Sequence, residues 1–155
     1  MGLYVKMEFI CATEKETAEL GKKLSLFAKR GDVFALFGTL GMGKSLLSRA
    51  FIQNLTPAED VPSPTFTLVQ TYATQNFDVF HFDLYRIKSA EEIFELGIEE
   101  AMYEGVCLIE WPEKMGAYLP RKAFIVKITP FGSGRKITIE NKDPTQQKRL
   151  ASLND

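Results

Sequence analysis

An α/β fold with a mixed parallel and antiparallel sheet flanked by helices is predicted for this chain by three observations. Two strand-then-helix units open the sequence, and strand pairs with short connections follow. Two apolar runs, Val33-Phe34-Ala35-Leu36-Phe37 and Val106-Cys107-Leu108-Ile109, are continuous rather than alternating, as strands covered on both faces are.

The first strand is read over Met7 to Cys11. Thr13-Glu14-Lys15-Glu16 then fits a capping box, with Thr13 as N-cap and Glu16 reaching back. Leu20, Leu24, Phe27 and Ala28 recur at helical spacing, and Gly31 is placed to end that helix. After the buried strand at 33–37 a second helix begins near Lys44 with Leu47, Phe51 and Leu55 on one face. It must finish before Pro57, because the residue preceding a proline is pushed out of helical geometry. Val61-Pro62-Ser63-Pro64 reads as irregular, and Phe66, Leu68, Gln70 and Tyr72 then alternate with Thr67, Val69 and Thr71 as in a strand. Val79 to Asp83 is its expected antiparallel neighbour, and Ser89-Ala90-Glu91-Glu92 is a second capping box whose helix Gly97 interrupts. Val106 to Glu110 is the second covered strand, and Ala123 to Ile128 with Lys136 to Glu140 form a closing hairpin. From Pro144 on the sequence is polar, and residues 144–155 are expected to be a mobile tail.

The composition excludes several function classes. With 19 basic and 20 acidic side chains the net charge is −1, and 45% of the residues are hydrophobic. Such a chain folds rather than staying disordered, and it lacks the basic excess of a protein that coats nucleic acid. No apolar run approaches the roughly 20 residues of a membrane helix, so no membrane association is expected. Cys11 and Cys107 lie in apolar contexts without short pair spacing, which predicts a reduced, cytoplasmic chain.

One string carries chemistry outright. Gly38-Thr39-Leu40-Gly41-Met42-Gly43-Lys44-Ser45 matches the phosphate-binding pattern G-x-x-x-x-G-K-[ST] in full. Its glycines let backbone N–H groups turn inward around phosphate oxygens, and the following helix N-terminus favours an anion. Lys44 would meet the β- and γ-phosphates as a point charge, and the Ser45 hydroxyl offers a hard oxygen to Mg²⁺. The string sits between a buried strand and an amphipathic helix, the context that makes it a P-loop rather than a chance glycine-rich turn. Residues 1–143 are therefore expected to form a P-loop NTPase domain.

A P-loop needs a carboxylate to complete the metal site and a group to orient the attacking water. Two strands end in acids, Asp83 and Glu110, at the strand ends where ligands collect in α/β sheets. Either acid can hold the metal or the water on this reading. Thr65, in the proline-stiffened Ser63-Pro64-Thr65-Phe66-Thr67, has a position from which it could sense a γ-phosphate, but the pattern alone favours an ordinary turn threonine. Trp111, the single tryptophan, follows Glu110 and precedes Pro112, which argues that the strand does not continue through it. His81 lies in an apolar run without a second His or Cys nearby and reads as a packed core residue, not a zinc ligand.

Five strings together carry a resemblance: Gly38 to Ser45, Ser63-Pro64-Thr65-Phe66-Thr67-Leu68-Val69, His81-Phe82-Asp83-Leu84-Tyr85-Arg86, Glu95-Leu96-Gly97-Ile98 and Leu108-Ile109-Glu110-Trp111-Pro112. In this order and spacing the chain resembles the TsaE family, formerly called YjeE, from about Thr13 to Arg135. The resemblance implies a small ATPase of tRNA threonylcarbamoyladenosine biosynthesis that acts on the TsaB–TsaD pair and meets tRNA only indirectly. It implies ATP and Mg²⁺ as ligands, with Leu40, Gly41, Met42, Gly43, Lys44 and Ser45 at the phosphates. Ser45 and Glu110 would meet the metal with Asp83 beside them, Thr65 would lie at the γ-phosphate and Trp111 near the nucleotide. Glu14, Gly134 and Arg135 would line the rim. Relatives usually carry an acid where this chain has Thr39 and a threonine where it has Ser45, which keeps the hydroxyl.

Two rival readings are a small GTPase-like switch and a nucleotide-gated assembly module. Guanine readers use N-K-x-D, and Asn141-Lys142-Asp143 places the aspartate one residue early. Asp83-Leu84-Tyr85-Arg86 likewise lacks the glycine of a D-x-x-G switch. Arg86, Arg121 and Arg135 are the candidates for a charge supplied to the phosphates in cis.

Overall fold

The computed structural model describes residues 6–39, 43–57 and 60–154. Leu40, Gly41 and Met42, three of the expected phosphate-binding residues, lie outside the described residues.

The elements run β1 (Lys6–Cys11), α1 (Glu14–Phe27), β2 (Val33–Phe37), α2 (Lys44–Leu55), β3 (Val69–Ala73) and β4 (Asp78–Asp83). A 3-10 helix (Ala90–Leu96), α3 (Ile98–Glu104), β5 (Val106–Glu110) and a second 3-10 helix (Pro112–Tyr118) follow, then β6 (Phe124–Phe131), β7 (Gly134–Glu140) and α4 (Pro144–Ala151). All seven strands form one sheet in the order β1-β7-β6-β2-β5-β4-β3. The four middle strands, β6, β2, β5 and β4, are parallel. Antiparallel β7 and β1 extend one side and antiparallel β3 the other. This is the mixed-sheet α/β architecture of a P-loop NTPase.

Successive residues of a strand face opposite sides, and the two apolar runs use both. Phe34, Leu36 and Leu108 pack with Leu24 of α1, Leu47 and Phe51 of α2 and Leu150 of α4. Val33, Cys107 and Ile109 pack with Ile93, Ile98 and Met115 of the helical segments on the other side. Because β2, β5 and β4 are parallel and covered, their C-terminal ends Phe37, Glu110 and Asp83 emerge together at one edge of the layer.

Thr13 caps α1 as read, with Glu16 N–H donating to Thr13 Oγ1 at 3.2 Å, but the Glu16 carboxylate accepts from Ala12 N–H at 3.2 Å, one residue before the cap, so only half of the first capping box forms. Three boundaries differ from the sequence reading. Helix α1 stops at Phe27, not at Gly31, because Lys29 N–H and Asp32 close a turn through the Asp32 carboxylate at 2.8 Å. The strand expected from Phe66 starts only at Val69, since Leu68 takes a left-handed backbone at φ 69° and residues 65–67 form a turn. The helix after Ser89 is 3-10 as far as Leu96, and Gly97, at φ 75°, lets a separate α-helix start.

The expectation of a mobile stretch from Pro144 is corrected. Asp143 caps α4 by accepting from Gln146 N–H at 3.2 Å, with Pro144 at the first helical position. Leu150 and Leu153 are buried in the core that α1 and β6 share. Polar composition misled here because only two apolar residues and one arginine are needed to seat a two-turn helix.

Both cysteines are buried and free. Burial pushes the Cys107 thiol up to about 12 and raises that of Cys11 as well. Thiols held protonated and covered are inert, so neither should react with a disulfide reagent near pH 8 until denaturant is added. Rapid labelling of the native chain would show that β1 or β5 opens readily.

Candidate functional site

The P-loop string leaves β2 at Phe37 and enters α2 at Lys44, as the strand–loop–helix context requires. Gly43 caps α2 with φ 104°, a left-handed conformation that side chains disfavour. A β-carbon built there would also lie 2.6 Å from Arg135 Nη1, the flexible end of that side chain, which would have to swing aside. Arg135 is thereby brought from β7 to the end of the phosphate-binding string. Gly134 makes the approach possible, since a β-carbon at 134 would meet the Cys11 carbonyl at 2.3 Å. Of the three candidate arginines Arg135 is the one beside the loop. Arg86 stacks on Phe66 at 4.2 Å, and Arg121 lines a separate cleft with Phe37 and Lys127.

Beside Gly43 lies a cavity of about 250 Å³ lined by Lys44, Ser45, Ser63, Thr65, Asp83, Glu110 and Trp111. Six sequence-predicted residues from four separate stretches of chain meet there. Ser45 Oγ donates to Glu110 Oε1 at 3.4 Å. Thr65 Oγ1 donates to Asp83 Oδ2 at 3.0 Å and lies 2.9 Å from Ser63 Oγ. Asp83 Oδ1 accepts from Tyr85 N–H at 3.0 Å. The parallel register that sets Asp83 opposite Glu110 is what places the two acids side by side.

Lys44 is 5% exposed rather than free at a loop. Its ammonium donates to the Gly38 carbonyl at 2.6 Å and sits 3.7 Å from the centre of the Trp111 ring. Desolvation pushes its pKa down, against the opposing pull of Glu110, Glu113 and Asp83. Trp111 does leave the strand: its backbone is left-handed at φ 58° and ψ 48°, and its ring packs on Tyr85 with centroids 4.9 Å apart. Among the described residues the two non-glycine residues with positive φ are Trp111 and Leu68. Leu68 also borders the site, for its carbonyl accepts from Asp83 N–H at 3.0 Å. Backbone of this kind persists where surrounding structure over-determines it, commonly at ligand sites.

Glu14 is not brought into the cluster. It opens α1 as an exposed residue, two positions beyond the Ala12 backbone that Gly134 meets.

The oxygens facing the cavity are two carboxylates and three hydroxyls. Hard oxygen donors of this kind fit Mg²⁺ rather than zinc, and no group of three or more His, Cys, Asp or Glu forms a metal cage among the described residues. Magnesium needs no such cage, because it retains waters and takes further oxygens from substrate phosphates.

Sequence reasoning missed one member. His81 is 1% exposed and its Nε2 lies 2.6 Å from Glu110 Oε2. The available signal was the place of His81 two residues before Asp83 on one strand, but it required the β4–β5 register that sets Asp83 opposite Glu110.

A family model described as threonylcarbamoyl adenosine biosynthesis protein TsaE matches residues 11–140. The tRNA threonylcarbamoyladenosine biosynthesis protein TsaE of Rickettsia conorii is 37% identical over 142 residues, which cover 89% of this chain and 81% of that protein. The protein of the same name from Rickettsia felis is 47% identical over 105 residues, 67% of this chain and 61% of its own length. That of Bacillus subtilis is 36% identical over 126 residues, 80% of this chain and 78% of its own. The crystal structure of Bacillus subtilis YdiB superposes with a TM-score of 0.80 at 25% identity, covering 99% of this chain and 97% of that one.

Proposed function

The chain belongs to the TsaE family of tRNA threonylcarbamoyladenosine biosynthesis proteins, and from that membership we propose that it binds ATP with magnesium and hydrolyses it slowly to support the TsaB–TsaD pair. The observation that carries this reading is the convergence of Lys44, Ser45, Thr65, Asp83, Glu110 and Trp111 on one cavity at the C-terminal ends of the parallel strands. On this proposal the protein acts in the cytoplasm and meets tRNA through its partners. No helix among the described residues is long and apolar enough to cross a membrane.

The phosphates would be held by the string from Leu40 to Ser45, which leads into the N-terminus of α2. Lys44 gives up the Gly38 carbonyl and the Trp111 ring for the β- and γ-phosphate oxygens, and Arg135 approaches them from β7 beside Gly43. Ser45 and Glu110 would hold the magnesium, since they already face each other across 3.4 Å. That ion, when bound, neutralises charge that develops on the phosphate oxygens. Asp83 is the water-positioning acid: Tyr85 N–H and Thr65 fix its carboxylate from two sides, and Thr65 links it to the segment that would sense the γ-phosphate. Trp111 packs at the nucleotide.

The division of labour between the acids is testable. Glu110→Ala should still bind ATP in EDTA but show no strengthening with Mg²⁺. Asp83→Asn should bind both and lose turnover by about a hundredfold, the lower end of the effect of removing a positioned base. The opposite pattern in magnesium-dependent ATP binding would exchange the two roles.

The proposal as a whole is tested by threonylcarbamoylation of tRNA with purified TsaB and TsaD, with and without this chain and with ATP against GTP. Modification should depend on the chain and on ATP. Hydrolysis should be slow for the chain alone and faster with the pair, because catalytic charge or order supplied by a partner is a common completion of P-loop sites. Equal turnover with and without the pair refutes the partner dependence.

A further inference from the structure

Glu110 is held from two directions. Oε1 faces Ser45 and the cavity, whereas Oε2 points back into the sheet and lies 2.6 Å from His81 Nε2. The two residues are 1% and 3% exposed, so water does not compete for this contact. Register produces it: Asp83 pairs with Glu110 and His81 with Leu108, and alternation puts 81, 83, 108 and 110 on one face of β4 and β5. His81 is thus the next residue inward from the two acids on the side that α2 covers.

The acid decides the direction of the bond. His81 Nδ1 is buried without a hydrogen-bond partner among the described residues. An ionised carboxylate has only acceptors, so with Glu110 as a metal ligand the 2.6 Å contact is one in which His81 Nε2–H donates, and the unpartnered Nδ1 is the nitrogen left without a proton. A core histidine present only for packing would have no reason to spend its one satisfied nitrogen on an acid at the cavity wall. Without this donor Glu110 would keep one oxygen buried and unpaired, which is costly, and its carboxylate would turn away from Ser45 to find another partner.

From this arrangement we propose that His81 is a positioning residue that fixes the orientation of the Glu110 carboxylate for the divalent cation. The inference rests on the reading of Glu110 as a magnesium ligand and adds to it the group behind that ligand. Hydrogen-bond partners of metal ligands act in this way, and their loss typically costs 10–100-fold in metal affinity. His81 touches neither nucleotide nor metal on this proposal; its effect passes through Glu110.

The test is Mn²⁺ binding in the presence of ADP, followed by the electron paramagnetic resonance signal of free Mn²⁺, together with ADP affinity in EDTA. Three variants separate geometry from folding. His81→Gln places an amide N–H near the Nε2 position, His81→Asn is polar but falls short by a methylene, and His81→Leu removes the donor. The expected result is Mn²⁺ binding weakened 10–100-fold in the Asn and Leu variants, largely restored in the Gln variant, with ADP affinity in EDTA unchanged throughout. If Leu fails to fold, the Asn and Gln pair carries the comparison. Wild-type Mn²⁺ affinity in a folded Asn variant overturns the proposal, and so does a parallel fall in metal-free ADP affinity, which would make His81 merely structural. Absence of Mn²⁺ binding by the wild-type chain with ADP would instead overturn the reading of Glu110, and the role of His81 with it.

Discussion

Lys44→Met is expected to lose ATP hydrolysis by about 10²–10³-fold while keeping the circular dichroism spectrum of the wild-type chain. Methionine preserves the apolar stem, which matters because Lys44 is 5% exposed and its side chain lies along the Trp111 ring. The ammonium alone is removed. Among the described residues that ammonium donates to the Gly38 carbonyl and lies over the face of Trp111, and its charge is also felt by Glu110, Glu113 and Asp83. The acids Asp83 and Glu110 retain Thr65, Tyr85, Ser45 and His81 as donors. Stability should therefore change little, whereas the phosphates lose the one lysine the P-loop string provides. A second readout follows from the 3.7 Å contact. Wild-type Trp111 fluorescence should respond to ATP as Lys44 leaves the ring, and the variant should lose that part of the response, keeping only what nucleotide contact with the ring produces. Turnover within tenfold of wild type would mean that the cavity holds something other than a triphosphate. Loss of the circular dichroism signal would mean that Lys44 is structural.

The parts of this site that the sequence discloses are those set by local chemistry. Gly43, Lys44 and Ser45 sit in one string because the loop and the helix N-terminus are contiguous, and Asp83 and Glu110 end strands whose apolar runs are visible by eye. The strands at 33–37 and 106–110 have the predicted bounds for the same reason. What escaped depends on which strands become neighbours. The contact of His81 with Glu110 needs the parallel β4–β5 register, and the choice of Arg135 among the three candidate arginines needs β7 to lie between β1 and β6. The turn at 65–67 overrode an alternating pattern because Asp83 N–H is satisfied by the carbonyl of Leu68, which holds that residue in an unfavourable conformation. Alternation reports which side chains face the same way, but not where the ladder of backbone hydrogen bonds begins. Helix α4 escaped because its anchoring is ionic and distant in sequence.

That anchoring sets the second large effect. Arg149→Met should destabilise the folded chain by about 3–5 kcal/mol, the usual result of removing one partner of a buried ion pair. The Arg149 guanidinium donates to Asp32 Oδ1 and Oδ2 at 2.8 Å each and to the Phe27 carbonyl at 3.2 Å. It also lies 4.7 Å from the ring centre of Phe27 and 5.6 Å from that of Phe124. Asp32 is 3% exposed, and without the arginine its carboxylate keeps only the Lys29 N–H. The cost comes mainly from that stranded charge, not from lost attraction. Methionine retains much of the contact with the two rings, so the loss is assigned to the ion pair. A double variant tests the assignment: Asp32→Asn with Arg149→Met should recover part of the stability, because no buried charge remains. Urea denaturation measures all three chains. The pair lies at the N-terminal end of β2, where Asp32 precedes Val33, and the phosphate-binding string leaves the other end at Phe37. Nucleotide affinity of the folded Arg149→Met chain should accordingly match wild type below its unfolding temperature. A loss under 1 kcal/mol, or a double variant less stable than Arg149→Met, would show that α4 is held by Leu150 and Leu153 alone.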